Sequence, residues 1–387
     1  MTFRSGRHFL QVPGPTNVPE RVLRAMNRPT IDHRGPDFAR MATEILKDLQ
    51  WVFRASGPVF VFPSSATGCW EASLVNTLSP GDKVLTCDQG YFADGWRATA
   101  ERMGLEVDIV PGDWRCGVDP AAVEDKLAKD TAHEYRALLV VHNETSTGIT
   151  NPLAAVRQAL DNTGHPALLM ADAVSSLGSM EYEHDAWGVD VTVAGSQKGL
   201  MVPPGLGFNA VSEKALEANR SAGLPRSYWD WQAMRSFNED GFFPYTPATN
   251  LLYGLREAIS MLREEGPETV FARHQRFAEA TRRAVNEWGL EIYCTDPAKY
   301  SSAVTAILVP EGSDADSLRA VILDRCDMSL GAGLGRLKGK VFRIGHLGDL
   351  NDLMLAGTLC GIEMGLSLAG VPSSRGGVAA ALDCLSA

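Results

Sequence analysis

The sequence predicts an α/β protein with a mostly parallel sheet between helices, followed by a smaller α+β domain. Between about residues 57 and 210, short apolar runs alternate with amphipathic segments. Continuous apolar runs are typical of parallel strands buried on both faces, and their alternation with helical patterns indicates repeated strand–helix–strand units. After residue 267 the hydrophobic pattern changes, and shorter predicted strands lie between long predicted helices. With 45% hydrophobic and 21% charged residues, the composition is globular and excludes a disordered chain.

The predicted strands of the first region are apolar runs that end in turns. They begin near residues 59, 83, 137, 167 and 189. Helical patterns flank them and cover 37–55, 250–266 and 267–289. The last of these helices opens on a proline and stops at a glycine, which are common residues at helix ends.

The C-terminal region predicts a second, smaller domain. Its predicted strands cover 303–309 and 340–348, and its predicted helices cover 314–325 and 352–370. We therefore divide the chain into an N-terminal segment, a large domain and a small domain, with the bounds 1–20, 21–266 and 267–387.

Charge and cysteine content argue against several classes of function. The chain has 36 Lys and Arg against 47 Asp and Glu, a net charge of −11, which disfavours general binding to nucleic acid or to an anionic membrane. No stretch of about 18 apolar residues exists, and the N-terminus lacks the apolar core of a signal peptide. The seven cysteines are dispersed, without a CxxC pair or zinc-site spacing. We expect reduced thiols, no metal, no membrane partner and a cytoplasmic protein.

The loops after the predicted strands carry the candidate site, because ligands gather at the carboxyl ends of parallel strands. Residues 64–68 open a helix with small hydroxyl side chains, where backbone N–H groups attract an anion, although Ser and Thr also cap ordinary helices. Residues 90–92 add aromatic rings that either stack on a flat ligand or fill the core. The polar loop 142–148 directly follows a buried run. Together these loops predict a pocket at one edge of the sheet.

Two charged residues, Asp172 and Lys198, end two of the apolar runs. A buried carboxylate is costly without a partner, and capping a helix is the alternative role for Asp172. Burial lowers the pKa of a lysine and favours a covalent link to an aldehyde, whereas a lysine that reaches out to solvent or forms a salt bridge is the alternative for Lys198. An anion loop, a stacking ring, an aspartate and a buried lysine together match pyridoxal 5′-phosphate (PLP), whose phosphate, ring, pyridinium nitrogen and aldehyde need these four partners.

Longer segments carry a resemblance to a known family. These segments are 6–34, 62–85, 140–153, 178–207, 244–258 and 339–348. The chain resembles the class V aminotransferases of fold type I, in the group of the alanine–glyoxylate and serine–glyoxylate enzymes, from about residue 6 to the C-terminus. The opening segment and the stretch PYTPATNLLYGL are most similar to the serine–glyoxylate branch, with an aspartate–glyoxylate branch as the nearest competitor.

The resemblance implies a fold-type I PLP enzyme with a seven-stranded sheet, acting as a homodimer whose active site is shared between subunits. Lys198 would bind the cofactor aldehyde and later shuttle the substrate α-proton, and Asp172 would pair with the pyridine nitrogen. Phe92 would stack over the ring and Val174 would pack under it. The other implied cofactor contacts are Ser65, Ala66, Thr67 and Gln197 at the phosphate, Thr145 near the ring hydroxyl, and Tyr245 and Thr246 at the phosphate of the neighbouring subunit.

The resemblance also implies a substrate site. Arg343 would clamp the substrate carboxylate with two hydrogen bonds, and an internal salt bridge is the alternative for an arginine in an apolar strand. Gly14 would line the substrate pocket, and Arg34 lies either near the substrate side chain or in a solvated turn. Relatives often have glycine where this chain has Ala66, and a positive φ there would make alanine costly.

The implied reaction transfers an amino group from a small L-amino acid to glyoxylate. The donor that the resemblance favours is L-serine, which would give hydroxypyruvate and glycine. L-Aspartate and alanine are alternative donors, since pockets separate small side chains by only about 1–3 kcal/mol; aspartate would need a second cation such as Arg34. A lyase such as a cysteine desulfurase would need a mobile-loop cysteine, for which Cys326 is the candidate. A protein that keeps the fold only for binding would have lost Lys198, Asp172 or Arg343, and all three are present.

Overall fold

The computed structural model describes residues 5–386. Its strands are β1 (Phe9–Gln11), β2 (Val59–Phe62), β3 (Lys83–Cys87), β4 (Glu106–Val110), β5 (Tyr135–Val141), β6 (Asn143–Glu144), β7 (Ile149–Thr150), β8 (Leu168–Asp172), β9 (Val191–Gly195), β10 (Gly207–Val211), β11 (Glu291–Ile292), β12 (Val304–Leu308), β13 (Met328–Ala332) and β14 (Val341–Gly345). Its α-helices are α1 (Glu20–Met26), α2 (Pro36–Phe53), α3 (Ala66–Val75), α4 (Tyr91–Arg102), α5 (Pro120–Lys129), α6 (Leu153–Thr163), α7 (Glu213–Ser221), α8 (Trp231–Asn238), α9 (Thr249–Glu265), α10 (Pro267–Glu287), α11 (Ala315–Cys326), α12 (Asp352–Leu368) and α13 (Gly377–Leu385).

The large sheet has seven strands in the order β2-β10-β9-β8-β5-β3-β4. Neighbours from β9 through β8, β5 and β3 to β4 are parallel, whereas β10 is antiparallel to both β9 and β2. The strands β8 and β9 are buried along their whole length, as strands covered on both faces must be. The predicted α/β fold with a mostly parallel, seven-stranded sheet is confirmed.

Two strands of this sheet, β4 and β10, were not predicted from the sequence. β4 lies at the sheet edge and four of its five residues are partly or fully exposed, so its sequence EVDIV is not a continuous apolar run. β10 has the sequence GFNAV, in which a glycine and an asparagine interrupt the apolar pattern although the strand is fully buried. Burial of the Asn209 amide is possible because its nitrogen donates to the Cys69 carbonyl oxygen at 3.2 Å.

Helix α2 follows from its sequence in a direct way. Pro36 occupies the first turn, where a missing N–H removes no hydrogen bond, and the helix ends at Arg54 in the left-handed conformation with φ 53°. One face is buried, with side chains three or four residues apart. That face consists of Phe38, Met41, Ala42, Ile45, Leu49 and Phe53.

A second sheet of five strands, in the order β1-β13-β14-β12-β11, lies in the C-terminal part of the chain. The predicted strands 303–309 and 340–348 correspond to β12 and β14, which pair antiparallel with Ala306 opposite Arg343. One strand of this sheet comes from the other end of the sequence, because β1 pairs in parallel with β13. The pairing brings the chain after Gln11 to the region between the two sheets. The division at residues 20 and 266 stays a prediction.

Three properties of the described range bear on function. Among the helices of residues 5–386, none combines the length and apolar character that a membrane crossing requires. All seven cysteines are free thiols. Across the same residues, no three His, Cys, Asp or Glu side chains cluster so as to hold a metal ion.

Candidate active site

A cavity of about 120 Å³ lies at the carboxyl ends of β5, β8 and β9. It brings together nine residues that the sequence analysis singled out and three that it did not. The nine are Ser65, Ala66, Thr67, Phe92, Thr145, Asp172, Val174, Gln197 and Lys198. The other three are Trp70, Val141 and Asn143. Residues from five separate loops therefore converge on one pocket, as expected for the edge of a parallel sheet.

Lys198 is buried, with 9% of its surface exposed. Its Nζ donates a hydrogen bond to the Pro13 carbonyl oxygen at 2.7 Å. Burial, assisted by the Arg343 charge, lowers the pKa of the Lys198 amine to about 8. Among the described residues no carboxylate forms an ion pair with it, so the salt-bridge alternative is absent from this structure. A neutral amine is thus accessible near physiological pH, and only the neutral form can act as a base or nucleophile.

Gly14 is adjacent to this amine. A Cβ on Gly14 would lie 2.3 Å from Lys198 Nζ, and its φ of +118° disfavours any L side chain. Glycine at this position therefore leaves the space that the lysine side chain occupies.

Asp172 ends β8 and is almost fully buried. Its Oδ1 accepts from the Val174 backbone N–H at 2.8 Å, and its Oδ2 accepts from the Trp70 indole Nε1–H at 2.7 Å. Burial raises the pKa of Asp172 to about 6, while these two hydrogen bonds and the Lys198 charge act in the opposite direction. The carboxylate is therefore mostly ionised at neutral pH and held by a donor on each oxygen.

The predicted anion loop forms the start of α3. Ser65 stands at the N-cap without a capping hydrogen bond from its side chain, so the helix N-terminus keeps unpaired donors for a ligand. Gln197 contributes an amide whose Oε1 is buried without a partner among the described residues. Ala66 is the first residue of α3 and is not among the residues with positive φ, so the alanine carries no backbone penalty.

Glu144 is the main functional candidate that sequence reasoning did not identify. It is fully buried, and its carboxylate accepts from the backbone N–H groups of Phe92 (3.4 Å) and Ala93 (3.2 Å) in the first turn of α4. Ser146 completes this cap, because its Oγ accepts from the Tyr91 N–H at 3.0 Å and also donates to Glu144 at 2.6 Å. Burial raises the pKa of Glu144 to about 7 against the effect of these hydrogen bonds. The polar loop 142–148 thereby fixes the position of Phe92.

Thr145 and Arg343 connect the loop to the second sheet. Thr145 Oγ1 donates to Ser175 Oγ at 2.7 Å, and its carbonyl oxygen accepts from Arg343 Nη1 at 2.8 Å. Arg343 lies on β14, is 6% exposed, and donates through Nε to the Ala332 carbonyl at 2.7 Å. No carboxylate within residues 5–386 forms an ion pair with it, and burial lowers its pKa to about 10. A buried guanidinium without an ion-paired carboxylate, next to the cavity, is suited to bind an anionic group.

Other predicted residues lie apart from this cavity. Tyr245 stacks on Tyr228 with 4.3 Å between ring centroids, and among the described residues its buried hydroxyl has no polar partner besides Tyr228. Thr246 follows it and does not line the cavity. Arg34 donates to the Phe243 carbonyl oxygen at 2.9 Å. These three residues lie outside the cavity of their own chain.

Cys326 does not lie in the cavity either. It is the last residue of α11, and its Sγ contacts the Gly361 carbonyl oxygen at 3.7 Å. A cysteine desulfurase needs a cysteine at the reacting atoms, so this placement removes the observation that supported the lyase alternative.

The fold and the site define a class of protein. A buried lysine with a lowered pKa, a buried aspartate and an open helix N-terminus meet at the edge of a mostly parallel seven-stranded sheet. The chain belongs to the class-V aminotransferases, whose family model matches residues 8–334. This finding confirms the family resemblance.

Individual relatives show which members of the family this chain is similar to. The chain is 49% identical to the serine–glyoxylate aminotransferase of Methylorubrum extorquens, over 99% of this chain and 97% of that protein. It is 47% identical to the L-aspartate–glyoxylate aminotransferase of Paracoccus denitrificans, over 96% of this chain and 94% of that protein. Among solved structures, the ureidoglycine–glyoxylate aminotransferase of Bacillus subtilis matches with a TM-score of 0.92 and 28% identity, covering all of both chains.

Proposed function

We propose that this chain is a PLP-dependent aminotransferase that moves the amino group of L-serine to glyoxylate, yielding hydroxypyruvate and glycine. The observation that carries the proposal is the buried, low-pKa amine of Lys198 in one cavity with Asp172, in a chain nearly half identical to a serine–glyoxylate enzyme over its whole length. The reaction needs a base at the substrate α-carbon, a carboxylate site and a cofactor site, and each has a candidate here.

The residues present fit PLP. The open start of α3 suits a phosphate group, because its unpaired backbone N–H groups donate to acceptor oxygens and attract negative charge. Gln197 lines the same cavity, and its side-chain NH₂ group is the donor that it can offer to a phosphate. Phe92 and Val174 line the same cavity and suit the two faces of a flat ring. Thr145 lines it with a hydroxyl fixed by Ser175, for the region of the ring hydroxyl.

The mechanism assigns one task to each side chain. When bound, PLP supplies an electron sink that makes the substrate α-proton acidic enough to remove. Asp172 would hold a proton on the ring nitrogen, because an ionised carboxylate stabilises the positive charge there. Lys198, as a neutral amine, would take the proton from the substrate α-carbon and return it on the cofactor side of the transferred nitrogen. Arg343 binds the α-carboxylate of the amino donor and the carboxylate of the oxo acid.

The relatives favour L-serine over L-aspartate as the donor, since serine–glyoxylate enzymes are 49% and 47% identical to this chain and the aspartate–glyoxylate enzyme is 47% identical. Aspartate has a second carboxylate and would need a second cation in the pocket. The cation predicted for that role, Arg34, is bound to the Phe243 carbonyl oxygen outside the cavity of its own chain. L-Aspartate remains the second candidate because of the Paracoccus relative.

The remaining sequence predictions are also proposals. They are a homodimer, in which Tyr245 and Thr246 reach the phosphate of the neighbouring subunit, a site for small amino and oxo acids, and a cytoplasmic location. The buried hydroxyl of Tyr245, which has no partner besides Tyr228 among the described residues, supports the first of these.

A spectrum of the purified protein tests the proposal. We expect a near-ultraviolet to visible band of bound PLP that is lost when L-serine is added and returns when glyoxylate is added. A band that responds to L-aspartate and not to L-serine would change the substrate and keep the reaction class. A protein that takes up no PLP would contradict the proposal.

A further inference from the structure

Trp70 lines the same cavity as Asp172 and Lys198, and the proposed reaction gives it no task. It lies on α3, one helical turn after the start of the anion loop, and is 6% exposed. Its indole Nε1–H donates to Asp172 Oδ2 at 2.7 Å, a short distance for an N–H donor and typical of a charge-assisted hydrogen bond.

The ring of Trp70 is fixed from a second element. It stacks on Trp96 of α4, with 6.1 Å between ring centroids and 13° between ring planes. Gly95, on the same helix, packs against its edge so closely that a Cβ there would lie 3.2 Å from the ring. Because α3 holds the backbone and α4 holds the ring, the N–H direction is set before any ligand binds.

The chemistry of the indole suits this position. An indole N–H donates, never accepts and does not ionise near neutral pH. It therefore stabilises the charged form of Asp172 and cannot take its proton, as a histidine or a hydroxyl in its place could. With the Val174 N–H on the other oxygen, the carboxylate plane has two fixed points and cannot rotate.

We propose that Trp70 is a positioning residue of the site: its indole N–H keeps Asp172 ionised and orients the carboxylate toward the ring nitrogen of bound PLP. The inference rests on the proposed function, because it needs a cofactor with a protonated ring nitrogen. Trp70 acts through Asp172 and joins the helix of the anion loop to the carboxylate that the ring requires.

A matched pair of variants tests this role. W70F keeps an aromatic ring and removes the N–H that Asp172 accepts. W96F makes the same change in the stacked partner, whose Nε1–H is buried without a partner among the described residues. We expect the dissociation constant of PLP from the apoprotein to rise about 10-fold or more in W70F and less than about 2-fold in W96F, since only W70F loses a hydrogen bond to a charged group.

The pH dependence of PLP binding is a second measurement. A variant that only loosened the packing around residue 70 would leave this pH dependence unchanged. The titratable groups around Asp172 come from three elements: Lys198 after β9, Tyr182 after β8 and His142 after β5. Burial lowers the pKa of His142 to about 3 and raises that of Tyr182, so both stay neutral between pH 5 and 7. Asp172, with a pKa of about 6, and Glu144, with a pKa of about 7, both titrate in or near that window. Because W70F removes a hydrogen bond to Asp172 and none to Glu144, we expect the midpoint of PLP binding to move to higher pH in W70F and to stay in place in W96F.

A double-mutant cycle with D172N completes the test. If Trp70 acts through the carboxylate, the W70F effect on PLP affinity shrinks to less than about 2-fold in the D172N background. An effect of equal size in both backgrounds, or equal losses in W70F and W96F, overturns the inference and leaves the proposed function intact. A wild-type protein without PLP affinity overturns both.

A measurement on the unmodified ring covers the case in which W70F does not fold. The chain has eight tryptophans, so ¹H–¹⁵N spectra of tryptophan-labelled protein contain few indole signals. One of them should lie downfield and follow the titration of Asp172, and it should stop doing so in D172N. If no indole signal responds to D172N, the inference is wrong.

Discussion

The cavity and the segment from residue 223 to 247 differ in how their buried polar atoms are paired. In the cavity, Asp172 has a donor on each oxygen and Thr145 Oγ1 is held by Ser175. In the segment, the buried Tyr245 hydroxyl has no partner besides the neighbouring Tyr228 among the described residues. Since buried polar groups are nearly always paired in finished structures, we expect the Tyr245 hydroxyl to gain a partner from the neighbouring subunit of the proposed homodimer, whereas Asp172 and Thr145 are held by their own chain.

This difference divides the proposed enzyme into two parts. The groups that would act on the ring and on the substrate α-carbon come from a single chain and are already in place. The groups proposed to reach a neighbouring subunit, Tyr245 and Thr246, come from the segment 223–247 and lie outside the cavity of their own chain. Substitutions in the two regions should therefore fail in different ways.

The largest expected effect is that of Lys198→Ala. Removing the amine takes away the proposed base, and general-base catalysis contributes about 10²–10⁴-fold, so turnover of L-serine with glyoxylate should fall at least about 1000-fold. The measurement is kcat on purified protein, with circular dichroism to show that the fold is kept. Turnover within about 10-fold of wild type would show that Lys198 is not the base.

Arg343→Ala should come next and should act on binding. Its guanidinium is buried without a carboxylate partner in the described part of the chain, so the substrate carboxylate is the expected partner. We expect KM for both L-serine and glyoxylate to rise about 10- to 100-fold, with a smaller change in kcat. Arg343→Lys keeps the charge but loses the paired donors, and it should recover only part of the loss. An unchanged KM for both substrates would contradict the role.

Glu144→Gln tests how the cavity is organised within one chain. The carboxylate accepts from two N–H groups at the start of α4, and an amide would turn an NH₂ group toward one of them. We expect a loss of about 1–3 kcal/mol in unfolding free energy, together with weaker PLP binding because Phe92 moves. Glu101→Gln, at the exposed end of the same helix, is the matched control and should change stability by less than about 0.5 kcal/mol. Equal effects of the two variants on stability and on PLP binding would contradict a role for Glu144 in organising the cavity.

Sequence reasoning predicted the strands, the family and the cavity residues better than the connections between them. Lys198 and Asp172 end apolar runs, and that local pattern places them at the sheet edge. Glu144 lies in a loop whose polarity was visible, yet nothing local shows that it caps a helix more than 50 residues earlier in the chain. The same applies to β1, since its pairing with β13 joins residues more than 300 positions apart. Contacts between residues far apart in the chain leave no hydrophobic periodicity in the local sequence, so the sequence does not predict them.

The smallest expected effect, and the one that most sharpens the comparison, is that of Tyr245→Phe. Within the described part of one chain the hydroxyl has no partner besides Tyr228, so its removal should leave the unfolding free energy of the apoprotein within about 1 kcal/mol of wild type. If the hydroxyl binds the cofactor phosphate of a neighbouring subunit, PLP affinity should still fall about 3- to 10-fold. Tyr228→Phe changes the stacked neighbour, whose side chain is partly exposed, and should leave PLP affinity unchanged. A fall in stability without a fall in affinity would show that Tyr245 serves its own chain, and the contrast between the two regions would then be lost.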